Sequence, residues 1–447
     1  MALPLIAGMA VFTVMQFCDR LFLARHSSLS IQAALPAGIL SFTMICGFQA
    51  LAGYAGTFVA QYHGAGDRKG CVMATMQGIW LALVSVPLLL LLIPVGFLIM
   101  RLSGHAPEVL AEERVYFGWL MLGGGLLPLG AAIGGYFTGQ SRMRLHLVAN
   151  VIGSLANIVL DYLLIFGKAG LPALGIQGAA IATVLAGTVA PLVQWVVFLR
   201  EPVVRTLPRR KLWRPDRILL RRLIRFGLPA GLHTFADVTA FTFFVLLTGR
   251  LGAVSLAASN ISFSINNLAF SPLFGMGFAA SILVGQYQGR GEHDAAARAG
   301  WTTLKLSWAY MALMTASFLL FPEGYFRLFR SRDEMFSLAE LVEVGKPMLR
   351  MMALWGMFDT VNIVISGALR GAGDTRFVMV YMLLMGWCLW IPGEVWILLR
   401  GDGILAAWRW LAVYVGLLSA GFAWRWHRGH WRRINILERH AAAEALP

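Results

Sequence analysis

Charge is what this sequence has least of. Only 13% of its residues are Asp, Glu, Lys or Arg, about half the share found in soluble domains, so a water-wetted globular surface is excluded. Acidic residues are the scarcer sign, 22 against 37 Lys and Arg. Cysteine is nearly absent. Cys18, Cys46, Cys71 and Cys388 form no CxxC pair, and three fall in or beside apolar runs, so neither a disulfide framework nor a zinc site is supported. No basic leader precedes the first apolar run, because Met1 leads straight into ALPLIAG. No cleavable signal is expected, and the first helix is expected to be a permanent span. HExxH, GxSxG and similar constellations are missing, which points away from an enzyme.

What is present is apolar: 58% hydrophobic residues, 15 Trp and a mean hydropathy of +0.69. This is the composition of an all-α polytopic membrane protein. The net charge of +15 does not argue for nucleic acid, since the basic residues sit in short gaps between apolar runs rather than on one folded face. They read as topology signals. Apolar runs bounded by Gly, Pro and charge predict about twelve transmembrane helices, at 3–25, 34–60, 73–100, 116–138, 146–167, 174–199, 222–249, 255–285, 297–322, 343–369, 377–400 and 403–426.

The most polar connection, RTLPRRKLWRPDRILLRRLIR from Arg205 to Arg225, divides the chain into an N-terminal lobe (1–200), a linker (201–225), a C-terminal lobe (226–427) and a tail (428–447). Its basic density places linker and both termini on the cytoplasmic side of the bacterial inner membrane. The tail, WRWHRGHWRRINILERH, is expected to lie on the headgroup surface, with Arg on phosphates and indoles at the interface.

The halves repeat. Leu3-Pro4 recurs as Leu228-Pro229, and the QYHGAGD run from Gln61 recurs as QYQGRGE from Gln286; both pairs are 225 residues apart (228 − 3 and 286 − 61). Two anchors at one offset indicate duplication. Six spans per half is an even number, so two bundles related by a pseudo-two-fold axis along the membrane normal are expected, with a cleft between them that rocking opens to alternate sides. The repeated Gly-x-Gly is a tight turn, not a phosphate loop, for no strand precedes it and no GK[ST] follows.

Several polar residues lie within the spans, where they are costly and face the protein interior or water. Asn157 and Asp161 are four apart in HLVANVIGSLANIVLDYLLIFG, on one helix face. They form either an ion site or a polar pair that joins two helices. Asp19 and Asp161 each sit about six residues from the outer ends of their spans, roughly 9 Å deep, and equal depth is what a shared site requires. Asp19 has a second reading, as a partner of Arg20 or Arg25. Thr183 is placed to add a hydroxyl.

In the second half Asp237 and Asp359 lie mid-span, with His233 one turn before the former and Asn362 three residues after the latter. Two carboxylates brought close in low dielectric are expected to hold one proton between them or to share a bound cation. Glu394 is either the repeat counterpart of Asp161 or, as the simpler reading, a polar span end. Asp19 follows Pro4 by fifteen residues but Asp237 follows Pro229 by eight. The seven-residue difference is two turns, about 10 Å, so the lobes need not carry equivalent sites.

The AQYHGAGD and GQYQGRGE turns, the NIVLDYLLIFG…GIQGAAIAT segment and SGALRGAGDTR, in this order across two halves of six spans, resemble the multidrug and toxic compound extrusion (MATE) transporters, nearest their NorM-like branch. The resemblance spans essentially the whole chain and implies a monomeric antiporter that exports small organic, often cationic, compounds while Na⁺ or H⁺ enters, with no other cofactor. It maps an N-lobe cation site onto Asp19, Asn157, Asp161 and Thr183, and a C-lobe cation or substrate site onto Asp237, Asp359, His233, Trp355 and Asn362. Candidate Na⁺ ligands are Asp19, Asp161, Asp237 and Asp359. There are departures: Asp237 stands where Glu is common, Trp355 where NorM-like proteins have Tyr, the usual basic leader is missing, and Asp161 beside Asn157 is closer to the DinF-like branch. Membrane lipids are the other expected partners. Two rivals are a lipid-linked oligosaccharide flippase, which needs a basic cleft, and a non-transporting membrane scaffold, against which the intramembrane acids argue.

Overall fold

In a computed structural model of the chain, the described residues, 2–248, 253–329 and 338–437, contain helices and turns and no strand. Met1, the join of the seventh and eighth expected spans, and the tail from 438 lie outside them. The first half runs α1 (Ala2–His26), α2 (Ser28–Gly53), α3 (Ala55–Gly64), α4 (Arg68–Leu91), α5 (Ile93–Leu102), α6 (Pro107–Leu122), α7 (Leu126–Gly139), α8 (Met143–Phe166) and α9 (Gly175–Arg200). Short α10 (Pro202–Thr206) and α11 (Arg209–Leu212) occupy the linker. The second half runs α12 (Arg217–Thr248), α13 (Ala253–Arg290), α14 (His293–Leu320), α15 (Pro322–Phe329), α16 (Leu338–Ala372), α17 (Thr375–Leu383), α18 (Ile391–Arg400) and α19 (Ile404–Arg428).

Among the described residues eleven helical rods are long and apolar enough to cross a membrane. The seventh expected span, within α12, is not one of these eleven; it lies in a continuous 32-residue helix whose middle carries His233, Thr234, Asp237 and Thr239. Some expected spans are interrupted rods. Span 2 breaks at Tyr54 between α2 and α3, span 3 at Leu92 with Pro94 opening α5, and span 4 at Gly123–Gly125. Span 11 passes from α17 through a π-helical stretch, Leu384–Trp390, into α18. A π turn inserts an extra residue into a helix and rotates the residues beyond it about the axis.

Phe17, Leu155, Leu313 and Leu354 lie mid-span and are each more than half exposed. A soluble protein would bury such a surface; here it faces lipid. The buried core of the second half is one cluster reaching from Ala236 to Trp431. In the first half it is divided among three, of which the largest joins α2, α3, α4 and α7 to the linker.

The halves meet from the end that bears the linker, the linker face, to mid-membrane. Gly227 and Gly231 of α12 press on α2: a Cβ on Gly231 would stand 2.5 Å from the Gly47 carbonyl oxygen. This is a small-xxx-small contact of the kind that lets membrane helices approach closely. At the linker face the repeated turns interlock reciprocally. A Cβ on Gly64 would stand 1.9 Å from the Gln286 carbonyl oxygen, and one on Gly289 would stand 1.9 Å from that of Gln61. Gln61 Nε2 donates across to the Gly371 carbonyl (3.0 Å), and Gln286 Nε2 to Gly139 O (2.7 Å) and Ser141 Oγ (2.8 Å). Gly66 (φ +76°) and Gly291 (φ +79°) complete the two tight turns expected from the sequence.

The tail departs from expectation. Instead of lying among headgroups, Trp431 is fully buried and stacks on Trp426 at 4.2 Å between centroids. Ile436 and Leu437 then enter the core of the first half. Gln288 Nε2 donates to the carbonyls of Trp431 (3.3 Å) and Ile434 (3.0 Å), and Arg222 Nη1 to that of Leu437 (2.8 Å). The tail thus straps one half to the other, because its apolar residues find a core within reach.

Candidate functional site

Two groups of polar residues lie at membrane depth. The first is within the N-terminal half, where α1 packs on α8. Asn157 and Asp161, one turn apart, both face α1 and are buried. With the carboxamide nitrogen of Asn157 turned to the acids, it donates to Asp19 Oδ1 (2.9 Å) and Asp161 Oδ2 (3.2 Å). The Asp19 and Asp161 carboxyl groups are themselves hydrogen-bond neighbours, and Asp161 Oδ1 finds no other protein donor. Asp19 is half-buried.

Arg20 lies within electrostatic range of Asp19, but no ion pair joins them among the described residues, so the salt-bridge reading of Asp19 does not hold. Tyr116 of α6 lies within electrostatic range of both acids, and nothing in its local sequence marks it. Thr183, half-buried on α9, makes no hydrogen bond to the acids among the described residues. Asn150 bonds its own helix, donating to His146 O at 2.9 Å, and stands apart.

The second group borders the junction of the halves. Asn362 Nδ2 donates to Asp359 Oδ1 at 2.8 Å, fixing that carboxylate on α16. Asp237 of α12 lies within electrostatic range of Asp359, of Arg370 on α16, of Tyr414 on α19 and of Cys46 on α2. It is exposed, yet residues of three other helices, α2, α16 and α19, come within range of it, so it faces the junction of the halves and not lipid. It lies six residues beyond Gly231, where α12 and α2 are in contact, on the side away from the linker face. Arg370 was missed from sequence because it sits at a span end, where arginine is ordinary. Its backbone carbonyl accepts from Tyr54 OH of the first half at 2.9 Å.

Among the described residues His233 Nδ1, one turn before Asp237, is buried without a partner. Trp355 is turned into the second half, packing against Phe270 and Trp408 with centroids 6.2 and 6.3 Å away; its indole nitrogen, like that of Trp408, has no acceptor. Glu394 is not a polar span end. It is buried, and Trp390 Nε1 donates to its Oε1 at 3.1 Å. No cluster of three or more His, Cys, Asp or Glu suited to a metal occurs among the described residues. The arrangement therefore brings together one carboxyl pair bridged by an amide in the first half and acids with an arginine in range at the junction of the halves.

Comparison with known proteins agrees with the two-half architecture. The MatE family model matches residues 4–163 and 229–396, two stretches that begin 225 residues apart. The chain is 30% identical over 443 residues to a probable multidrug resistance protein NorM of Pseudomonas putida, covering 95% of this chain and 93% of that one. It is 29% identical over 434 residues to the multidrug resistance protein MdtK of Edwardsiella ictaluri, covering 94% and 92%. Among solved structures, an outward-facing multidrug resistance MATE transporter of the MOP superfamily superposes with a TM-score of 0.85 at 20% identity, covering 97% of this chain and 95% of that one. A MOP superfamily transporter of Pyrococcus furiosus, described as having a binding pocket of reversed polarity, gives 0.85 at 19% over the same shares.

Proposed function

The chain belongs to the MatE family, and from that membership we propose that it exports small organic cations in exchange for an inward-moving cation, with the linker face cytoplasmic. The density of Arg and Lys at that face supports the orientation. On this reading one chain's two halves enclose a chamber between them, so a monomer suffices.

The observation that carries the coupling is the Asp19–Asn157–Asp161 group. Two carboxyl groups in hydrogen-bond contact, bridged by one amide, cannot both hold a bare charge in low dielectric. They are stable when empty only by accepting from Asn157, and when loaded by sharing a cation. A carboxamide presents its nitrogen to ionised carboxylates and its oxygen to a proton or cation that they hold, so a half-turn of one side chain separates the two forms. Without Thr183 the group supplies few oxygens, and hard metal cations prefer six or more. A proton is the better-matched coupling ion.

Uptake of the cation from the outside favours the state that releases drug, and its departure inside resets the chamber; a ligand drives such a change only by binding the two states with different affinity. Asp237 and Asp359 supply the negative charge that a cationic substrate meets, and Asn362 holds the Asp359 carboxylate in place. The test is efflux of a fluorescent organic cation from proteoliposomes under an imposed pH gradient and, separately, an imposed Na⁺ gradient. Transport driven by the pH gradient and lost in Asp161→Asn is expected. Transport that survives in both Asp161→Asn and Asp359→Asn removes the mechanism.

A further inference from the structure

At the linker face, α12 and α17 enter the membrane side by side and leave two adjoining hollows. One, of about 260 Å³, is walled by Arg225, Phe226, Gly373, Asp374, Arg376, Ile434 and Asn435. The other, of about 290 Å³, runs between the helices and is lined by Ile224, Leu228, Pro229 and Leu232 of α12 and by Met379 and Val380 of α17. Arg225 and Arg376 border both. Both are exposed. Neither has an ion-pair partner among the described residues.

The one acid in the polar hollow is already committed. Asp374 Oδ2 and Oδ1 accept from Arg425 Nε (2.7 Å) and Nη2 (3.3 Å), and its side chain is 5% exposed. Two unneutralised guanidinium groups therefore stand at the mouth of an apolar groove. From Ile224 to Leu232 the groove runs eight residues, about 12 Å, into the membrane, with Leu228 and Leu232 at helical spacing on the exposed side of α12.

We propose that this corner binds an anionic phospholipid, its phosphodiester between Arg225 and Arg376 and one acyl chain in the groove between α12 and α17. The two hollows differ in chemistry as the two ends of such a lipid do. A basic hollow at the cytoplasmic ends of membrane helices is the usual form of an anionic headgroup site. The headgroup hollow is closed by the tail at Ile434 and Asn435 and by the turn at Gly373, so bound lipid would brace the strap against α12. The inference concerns binding alone and stands whichever ion drives transport.

Purified full-length protein is titrated with fluorescent phosphatidylglycerol and with phosphatidylcholine of the same chains. A preference of about 30-fold for the anionic lipid is expected, the effect of two arginines on one net negative charge that the choline of phosphatidylcholine cancels. It should vanish in Arg225→Gln/Arg376→Gln and persist in Arg214→Gln/Arg221→Gln, which removes exposed arginines of the same face outside both hollows. Leu232→Trp, which fills the groove without touching the charges, should weaken both lipids. Equal losses in the two arginine pairs, or displacement of the lipid by millimolar inorganic phosphate, would overturn the proposal.

Discussion

Replacing Gly64 by alanine should force the linker face apart. The added Cβ would sit 1.9 Å from a backbone carbonyl oxygen, where real contacts essentially never fall below 3.0 Å, so the two turns must separate by at least 1.1 Å (3.0 − 1.9). No side chain can rotate to relieve it, because the obstacle is main chain. Overpacking of this sort costs about 1–3 kcal/mol. Separation also strains the bridging hydrogen bonds of Gln61 and Gln286, worth about 1 kcal/mol each. A bias of about 3 kcal/mol against the closed linker face moves the ratio of closed to open forms by about 100-fold. Spin labels at Arg68 and Glu292, exposed positions on the two turns, in a background freed of the four native cysteines, should report a longer distance between the halves. Gly289→Ala should match it, since its clash is the mirror image. Gly66→Ala is the control: it strains a turn at φ +76° but meets nothing within 4 Å. A folded Gly64→Ala protein with an unchanged distance distribution, or an equal shift in Gly66→Ala, would refute the reasoning.

Three further outcomes are expected. Ile436→Asp, which puts a charge into the core of the first half where Ile436 is 0% exposed, should cost about 3 kcal/mol of strap docking; it is read as faster tryptic cleavage at Arg432 and Arg433 with the helices intact. Asp374→Asn leaves Arg425 without its two-point partner and, because Arg425 still reaches water, should lower stability by about 2 kcal/mol, seen as a drop in Tm. Glu394→Gln should leave transport under a pH gradient close to wild type, whereas Asp19→Asn should abolish it; equal losses in the two would show that the acids of both halves carry the coupling.

The membrane fold was legible because hydrophobic length sets a span almost by itself. The duplication was legible from two short motifs, and its offset reappears as Gly64 against Gln286 and Gly289 against Gln61. Asn157 beside Asp161 was readable because helical spacing fixes which side chains share a face. What could not be read depends on which helices meet. Tyr116 and Arg370 are unremarkable in their own segments and gain meaning only from the acids that α1, α8 and α12 carry to them. The tail misled for the same reason. A Trp and Arg mixture suits a lipid surface, and only the folded core shows that Trp431 and Ile436 have a better place to go.

The departure from symmetry separates the roles of the halves. Counting from the paired turns Gly139 and Gly371, the offset in the fifth and eleventh spans is 232 residues (371 − 139), and the π-helical turn at Leu384–Trp390 adds one. The counterparts of Asn157 and Asp161 are then Trp390 and Glu394, and the donor-to-acid bond is kept, Trp390 Nε1 to Glu394 Oε1 at 3.1 Å. The third member is not kept. At the offset of 225, Asp19 corresponds to Phe244, which is buried and packs on Trp390 with centroids 5.6 Å apart. A ring in place of the facing carboxyl leaves Glu394 nothing with which to share a cation, so this position retains the architecture of the ion group without its exchange partner. Of the acids that the second half does present, Asp237 stands seven residues, about two turns, before Phe244, within electrostatic range of Arg370 and of the first half's Cys46. Under the mechanism proposed above, one half would hold the small driving cation and the other would meet the larger one, with the reciprocal glycine turns joining the two.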